Sequence, residues 1–397
     1  MRPEFISNAQ RGSVSVIVAL SLIVLAGMAA FAVDYGFLHY KRSQLQTAAD
    51  AAAMAGASSL LTFGDDLTQV AATAVDFGQR NLGSDDSASV AVTAQDVTFY
   101  NSEAPIAPTS QNVDQVEVTV GRTTDRGNPV SLFLGPILGK DFADVSATAR
   151  ASLFCSRSTK CLKPLSPPAK FTWDDSCDED KKLNGNGKLD YESACELGSV
   201  EVLGYGEADL GTQITLKQSD NVDNAVNGHF NPVDFPASNK DDPISGAAAY
   251  RLNLTNDCTG SNNASVEPGD TLQVEPGNMV GPTNQGLADL MSEDPGAYWD
   301  SDSNSIKGSS FTDPLDSPRV ALIPFYDPSI YQPSGRNDVQ VYQLGAVFIE
   351  SVSSKGEVTG RFIRAMAESP QGGVVGCDTA DFGLFGAHMD LDTSRMQ

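Results

Sequence analysis

Histidine is scarce in this 397-residue chain, tryptophan scarcer still, and positive charge is heavily outnumbered. The three histidines, His39, His229 and His388, lie far apart in sequence. A zinc site or a histidine-based acid–base pair therefore has no local cluster to grow from. Lys and Arg total 26 against 51 Asp and Glu, a net charge of −25. A surface of that sign repels nucleic acid and anionic headgroups, and suits solubility, a bound cation or a basic partner. The chain also lacks a G-x-S-x-G elbow, a Walker A loop, a G-x-G-x-x-G turn and an H-E-x-x-H helix. Acidic pairs abound, so choosing two as general acid and base would be arbitrary. The sequence reads as non-enzymatic, with no nucleic-acid partner and no evident small-molecule substrate.

The most informative absence is local. Ser13 to Val33 contains no charged residue. As a helix this stretch is about 31 Å long, close to the thickness of a bilayer core. Asp34 to Leu60 contains no proline and is rich in alanine, which predicts the same helix emerging into water. Within the span, Ala26/Ala30 and Ala32/Gly36 have the small-xxx-small spacing that admits a second helix. Arg2 and Arg11 precede the span and predict a cytoplasmic N-terminus; Lys41 and Arg42 on the far side oppose this. Ala30-Phe31-Ala32 fits a signal-peptidase pattern, but the apolar run exceeds the usual signal core of about 7–15 residues. A mature chain starting at Val33 would establish cleavage.

Cysteine is absent from the first 154 residues and then occurs six times, at Cys155, Cys161, Cys177, Cys195, Cys258 and Cys377, never as C-x-x-C. An even set confined to one side of the span predicts disulfides in an oxidising compartment. Proximity pairs 155–161 and 177–195 and leaves 258–377, out of about 15 possible pairings.

The expected fold class is α+β. It begins with a short tail (1–11) and a transmembrane helix with its soluble extension (12–61). A small α+β unit follows (62–154), then a mostly β, acidic, cysteine-containing domain (155–369) and a Gly-rich tail (370–397). Leu67, Val70, Ala71, Ala74 and Phe77 recur at helical spacing. Val90–Thr93, Val97–Tyr100, 113–122 and 142–154 read as strands, with Val116, Val118 and Val120 on one face of the third. Pro129 can open a helix over 130–139, which Pro136 would interrupt. Further on, 200–206, 212–217, 318–326, 339–352 and 358–367 read as strands, and 284–293 as a short helix. The turn at Ser354-Lys355-Gly356 predicts a hairpin between the last two strands.

The best chemical candidate is the acidic stretch 174–196. Calcium takes six to eight oxygens, often from a loop with a glycine at its sharp turn. Asn184, Asn186 and Asp190 fall at positions 3, 5 and 9 of an EF-hand-like register, with Gly187 at the turn. Lys182 and Ser193 occupy positions 1 and 12, so Asp178, Asp180 or Glu192 would have to complete the ligand set. The competing reading is an acidic surface turn closed by Cys177–Cys195.

Arg11-Gly12, the apolar span, Asp34 and Gly36, Leu45-Gln46, Ala48 to Ala53 and Gly56 together resemble the N-terminal region of the TadE/TadG-like Flp (Tad) pilus-assembly proteins. The resemblance implies a bacterial inner-membrane anchor, a long helix and an exported domain. It also implies a supporting role in assembling or anchoring a type IV-like pilus, with pilus or secretion-platform proteins as partners and no catalytic residues. Pilins carry a Glu five residues after their cleavage Gly; here Gly12 is followed by Ser-Val-Ser-Val-Ile. A retained anchor is therefore expected rather than a polymerised subunit. Asp85-Asp86-Ser87-Ala88-Ser89 fits the D-x-S-x-S metal motif of some family members but follows no apolar strand, and is set aside. The alternative, from another class, is a calcium-dependent surface or adhesive protein sharing the anchor.

Overall fold

The computed structural model describes residues 9–64, 66–83, 90–101, 104–106, 113–177, 184–219, 231–235, 246–255, 258–275, 277–330, 338–374 and 382–390. They form two compact units: the chain up to Ser152 joined by Met389 and Asp390, and Leu153–His388.

The first unit is built on one helix. α1 runs Ala9–Phe63 without a break, 55 residues or about 82 Å. It includes the apolar span, whose mean hydropathy reaches 2.8. The helix is thus long and apolar enough to cross a membrane and still project far beyond it. α2 (Leu67–Arg80) returns along it, started by Asp66, whose side chain accepts from the Gln69 N–H. Its buried residues, Leu67, Val70, Ala71, Ala74 and Gly78, form the predicted apolar stripe, while Phe77 stays exposed.

Four antiparallel strands follow in the order β2-β1-β3-β6: β1 is Val97–Asn101, β2 Ala104–Ile106, β3 Gln115–Arg122 and β6 Val145–Lys160. Two short strands, β4 (Val130–Ser131) and β5 (Phe142–Ala143), pair in the connection between β3 and β6. The β3–β6 ladder extends from Gln115↔Ser152 to Arg122↔Val145. Val116, Val118 and Val120 are fully buried. On the other face Arg150 lies 3.8 Å from the Tyr100 ring centre and 3.0 Å from the Glu117 carboxylate. Val90–Thr93 is not a strand, and 130–139 is not a helix. Pro136 removes a donor there, and only a 3-10 turn forms, at Gly135–Leu138.

The second unit is mostly β. It contains β7 (Phe171–Thr172), α3 (Ala194–Gly198), β8 (Glu201–Val202), β9 (Gln213–Lys217), β10 (Val233–Asp234), α4 (Ala247–Leu254), β11 (Thr271–Val274) and α5 (Val280–Ser292). Then come β12 (Tyr298–Asp300), β13 (Ser305–Lys307), β14 (Val320–Tyr326), β15 (Asp338–Val352), β16 (Val358–Ile363), β17 (Ala365–Met366), β18 (Glu368–Val374) and β19 (Leu384–Met389). The main sheet has the order β10-β11-β15-β16-β9, with β14 also on β15. β15 and β16 form the predicted antiparallel hairpin. Phe348, Leu344, Val341, Tyr326 and Phe235 fill the core. Arg319 is buried with its guanidinium donating to the carbonyls of Ile349, Ala297 and Glu350 and lying over the Phe348 ring. A buried charge needs that full set of partners.

Strands β18 and β19 fall where the sequence reads as a Gly-rich tail. β18 pairs with the later half of β6, Val374 opposite Cys155, and β17 runs parallel to β19. Helix α4 escapes the sequence reading because its run AAAYRLNL is only eight residues long.

Candidate functional site

The polar half of α1 meets its unit through its smallest residues. Leu45, Ala48, Ala49, Ala52, Ala53 and Ala57 are fully buried. At Gly56 an added Cβ would stand 2.8 Å from Val116 Cγ1 and 3.2 Å from Ala74. At Gly78 of α2 it would stand 3.1 Å from Ala52. Small side chains on both helices and a valine on the sheet therefore set a very close approach. Gln46 adds a polar tie, donating to the Thr148 carbonyl and to Asp50.

Nearer the apolar span the helix changes chemistry but keeps the same face turned inward. Ala30, Asp34, Lys41 and Leu45 follow one another along it and all are buried. Asp34 accepts from the Phe133 N–H at 2.8 Å and from the Leu134 N–H at 3.1 and 3.2 Å. Phe37 packs edge-on against Phe133 with ring centres 4.8 Å apart. Lys41 reaches Gln44 at 3.3 Å and lies over the Phe37 and Tyr40 rings. One turn away, Tyr35, Leu38, His39 and Arg42 border an open recess of about 410 Å³ with Asp144, Val145 and Ser146 opposite. The Asp144 carboxylate is fixed by the Thr124 N–H and hydroxyl, each at 2.8 Å.

Residues 12–59 match the family model of Flp pilus-assembly TadE/G-like proteins. No curated protein and no solved structure matches the chain. The Tad-like match thus ends within α1, and its features acquire physical roles here. Asp34 holds the loop at 133–134, Leu45 and the alanines form the buried stripe, and Gly56 is the closest contact with the sheet.

Of the calcium candidates, Asp178 and Asp180 lie outside the described residues. Asn184, Asn186 and Glu192 are exposed and Asp190 is half-buried, on a loop closed by the Cys177–Cys195 disulfide. Asn186 Oδ1 accepts from the Lys188 N–H and Asp190 Oδ1 from the Glu192 N–H. Asp175, which the sequence reading passed over, accepts from the Gly187 N–H at 2.7 Å. Glu196, also passed over, is fully buried and accepts from the Asp190 N–H. Among the described residues no three His, Cys, Asp or Glu side chains gather as a metal site.

The other two expected disulfide pairings are corrected. Cys161 bonds to Cys258, with Cα atoms 5.0 Å apart, which removes both 155–161 and 258–377. The Cys161 N–H donates to the Asn262 carbonyl and Thr159 bridges to Val266. This backbone contact brings residues distant in sequence together, and proximity along the chain could not reveal it. Cys155 is disulfide-bonded, and Cys377 lies outside the described residues. His39 is exposed beside Tyr35, His388 packs on Phe154, and His229 lies outside the described residues, as does the Asp85–Ser89 string. Trp173 stacks on Phe171. Trp299 packs against the core of the second unit.

Proposed function

We propose that this chain is a single-pass protein of the bacterial inner membrane that supports assembly or anchoring of a Tad/Flp type IV-like pilus without catalysing a reaction. The observation that carries the reading is the coincidence of the Tad-like segment, 12–59, with the helix that holds both the apolar span and the buried stripe of the first unit. The Arg2 and Arg11 charges support a cytoplasmic N-terminus, with the bulk of the chain in the periplasm or beyond. The disulfides support an oxidising compartment for that bulk. With no Glu after Gly12, the helix acts as a permanent anchor. The acidic exported region then engages pilus or secretion-platform proteins. Deleting the gene in its native host is expected to abolish or sharply reduce pili seen by electron microscopy, with recovery on complementation. Unchanged piliation would sink the reading.

A calcium-dependent surface role is the second reading. It is favoured by Gly187, which adopts φ 75° at the turn an EF-hand-like register requires, in a loop clamped by a disulfide. Calorimetry with calcium is expected to give heat in the parent protein and less in Asp190→Ala; no heat in the parent ends it.

A further inference from the structure

The connection between β3 and β6 carries large apolar side chains into solvent. Phe133 is 63% exposed, Ile137 77% and Phe142 53%. An ordinary surface turn does not cluster such residues. Their position on α1 explains them. Along the helix from Gly56 toward Asp34, the contacts pass from Val116, which pairs with Ala151, to Thr148 and then to Phe133. The connection therefore lies at the end of the hairpin nearest the apolar span.

It also meets α1 at the edge of that span, through Asp34 and Phe37. From Val14 to Val33 every residue is exposed except Gly27, half-buried, and Ala30, only 9% exposed. The 3-10 turn Gly135–Leu138, directly after the N–H groups that Asp34 holds, also touches α1. Ala30 lies one helical turn, about 6 Å, to the membrane side of Asp34. That matches the depth, about 5–10 Å into the headgroup–acyl boundary, at which interfacial segments lie. Tyr35, exposed on α1 one residue beyond Asp34, marks this level, where aromatic side chains gather at a membrane surface.

We propose that residues 132–142 are a second membrane-contacting element, seating Phe133, Ile137 and Phe142 in the headgroup–acyl boundary of the bilayer that α1 crosses. The occupant of this apolar surface is lipid, because the surface is continuous with the exposed span beside it. Asp34 does not enter the boundary as a bare charge, since two loop N–H groups satisfy its carboxylate. The inference rests on α1 crossing a membrane and not on the pilus role.

Single tryptophans in the full chain, reconstituted into phosphatidylethanolamine–phosphatidylglycerol vesicles with and without acyl-brominated lipid, test it. The parent signal from Trp173 and Trp299 is subtracted. Ile137→Trp is expected to be quenched by the brominated lipid several-fold more than Phe77→Trp on α2, and to be shielded from aqueous acrylamide. Phe142→Trp, aromatic for aromatic, gives the same reading should Ile137→Trp fail to fold. Val24→Trp reports the span itself. A quenched Val24→Trp beside an Ile137→Trp quenched no more than Phe77→Trp overturns the proposal. That holds whether acrylamide reaches residue 137 or a protein covers it. An unquenched Val24→Trp overturns the proposal together with the membrane reading of α1, while piliation tests the pilus role separately.

Discussion

Lys217 lies fully buried in the second unit, its ammonium donating to Asn278 Oδ1 at 2.6 Å and to the Gly356 carbonyl at 3.0 Å. Burial lowers its pKa from the ordinary 10.5 to about 8, against the opposing pull of Glu357. The unfolded chain then binds one more proton than the folded chain between these values, so stability rises with pH from about 8 to 10. Above pH 10 Tyr205 and Tyr250 act the other way. Burial raises both phenols well above their ordinary 10, so the folded state keeps protons that the unfolded state loses. The denaturant midpoint is expected to climb and then turn over, and Lys217→Met should flatten the climb. Gly56 and Gly36 make a second residue-scale contrast. A methyl at Gly56 collides with Val116, whereas nothing lies within 4 Å at Gly36. Gly56→Ala should cost about 1–3 kcal/mol, while Gly36→Ala should gain about 0.5–1 kcal/mol from helix propensity, both read from denaturation in detergent. Gly56 and the alanines were legible in the sequence as an alanine-rich helical stretch that carries the Tad-like resemblance. The task of Asp34 was not, because its partners stand 99 and 100 positions away.

Among the elements, the Cys161–Cys258 bridge spans 97 positions and ties the end of β6 to the segment just after α4. In the chain-entropy model a loop of that length contributes about 4–5 kcal/mol. Cys161→Ser with Cys258→Ser should lower the unfolding free energy by roughly that amount, with a smaller loss for the 18-residue Cys177–Cys195 loop. Alternation made β3 readable, and helical spacing made α2 readable, because each pattern is complete within its own segment. The segment 130–139 misled for the opposite reason. Its apolar run has helical composition, but Asp34 captures the N–H groups of Phe133 and Leu134 and a proline follows. β18 and β19 likewise owe their form to neighbours on other strands, information that a Gly-rich stretch does not carry.

For the whole molecule, the acidity is displaced from the N-terminal end: residues 1–61 hold four basic and three acidic side chains, and the rest of the chain carries a net charge of −26. Binding to a basic partner should therefore weaken as ionic strength rises toward 0.15 M and beyond, where the screening length falls to about 8 Å. The first unit is completed by Asp390, whose carboxylate accepts from the Ser152 hydroxyl at 2.7 and 2.9 Å and whose N–H donates to the Arg150 carbonyl. During synthesis, at about 5–20 residues per second, α1 and its sheet are made first, yet that last contact waits while 236 further residues, Leu153–His388, emerge. The ribosome thus delivers the closing piece of the oldest unit roughly 10–50 seconds after its first pieces. A chain stopped after His388 should carry an intact second unit and a first unit of lower stability, read as faster amide exchange across the β3–β6 ladder that those contacts close.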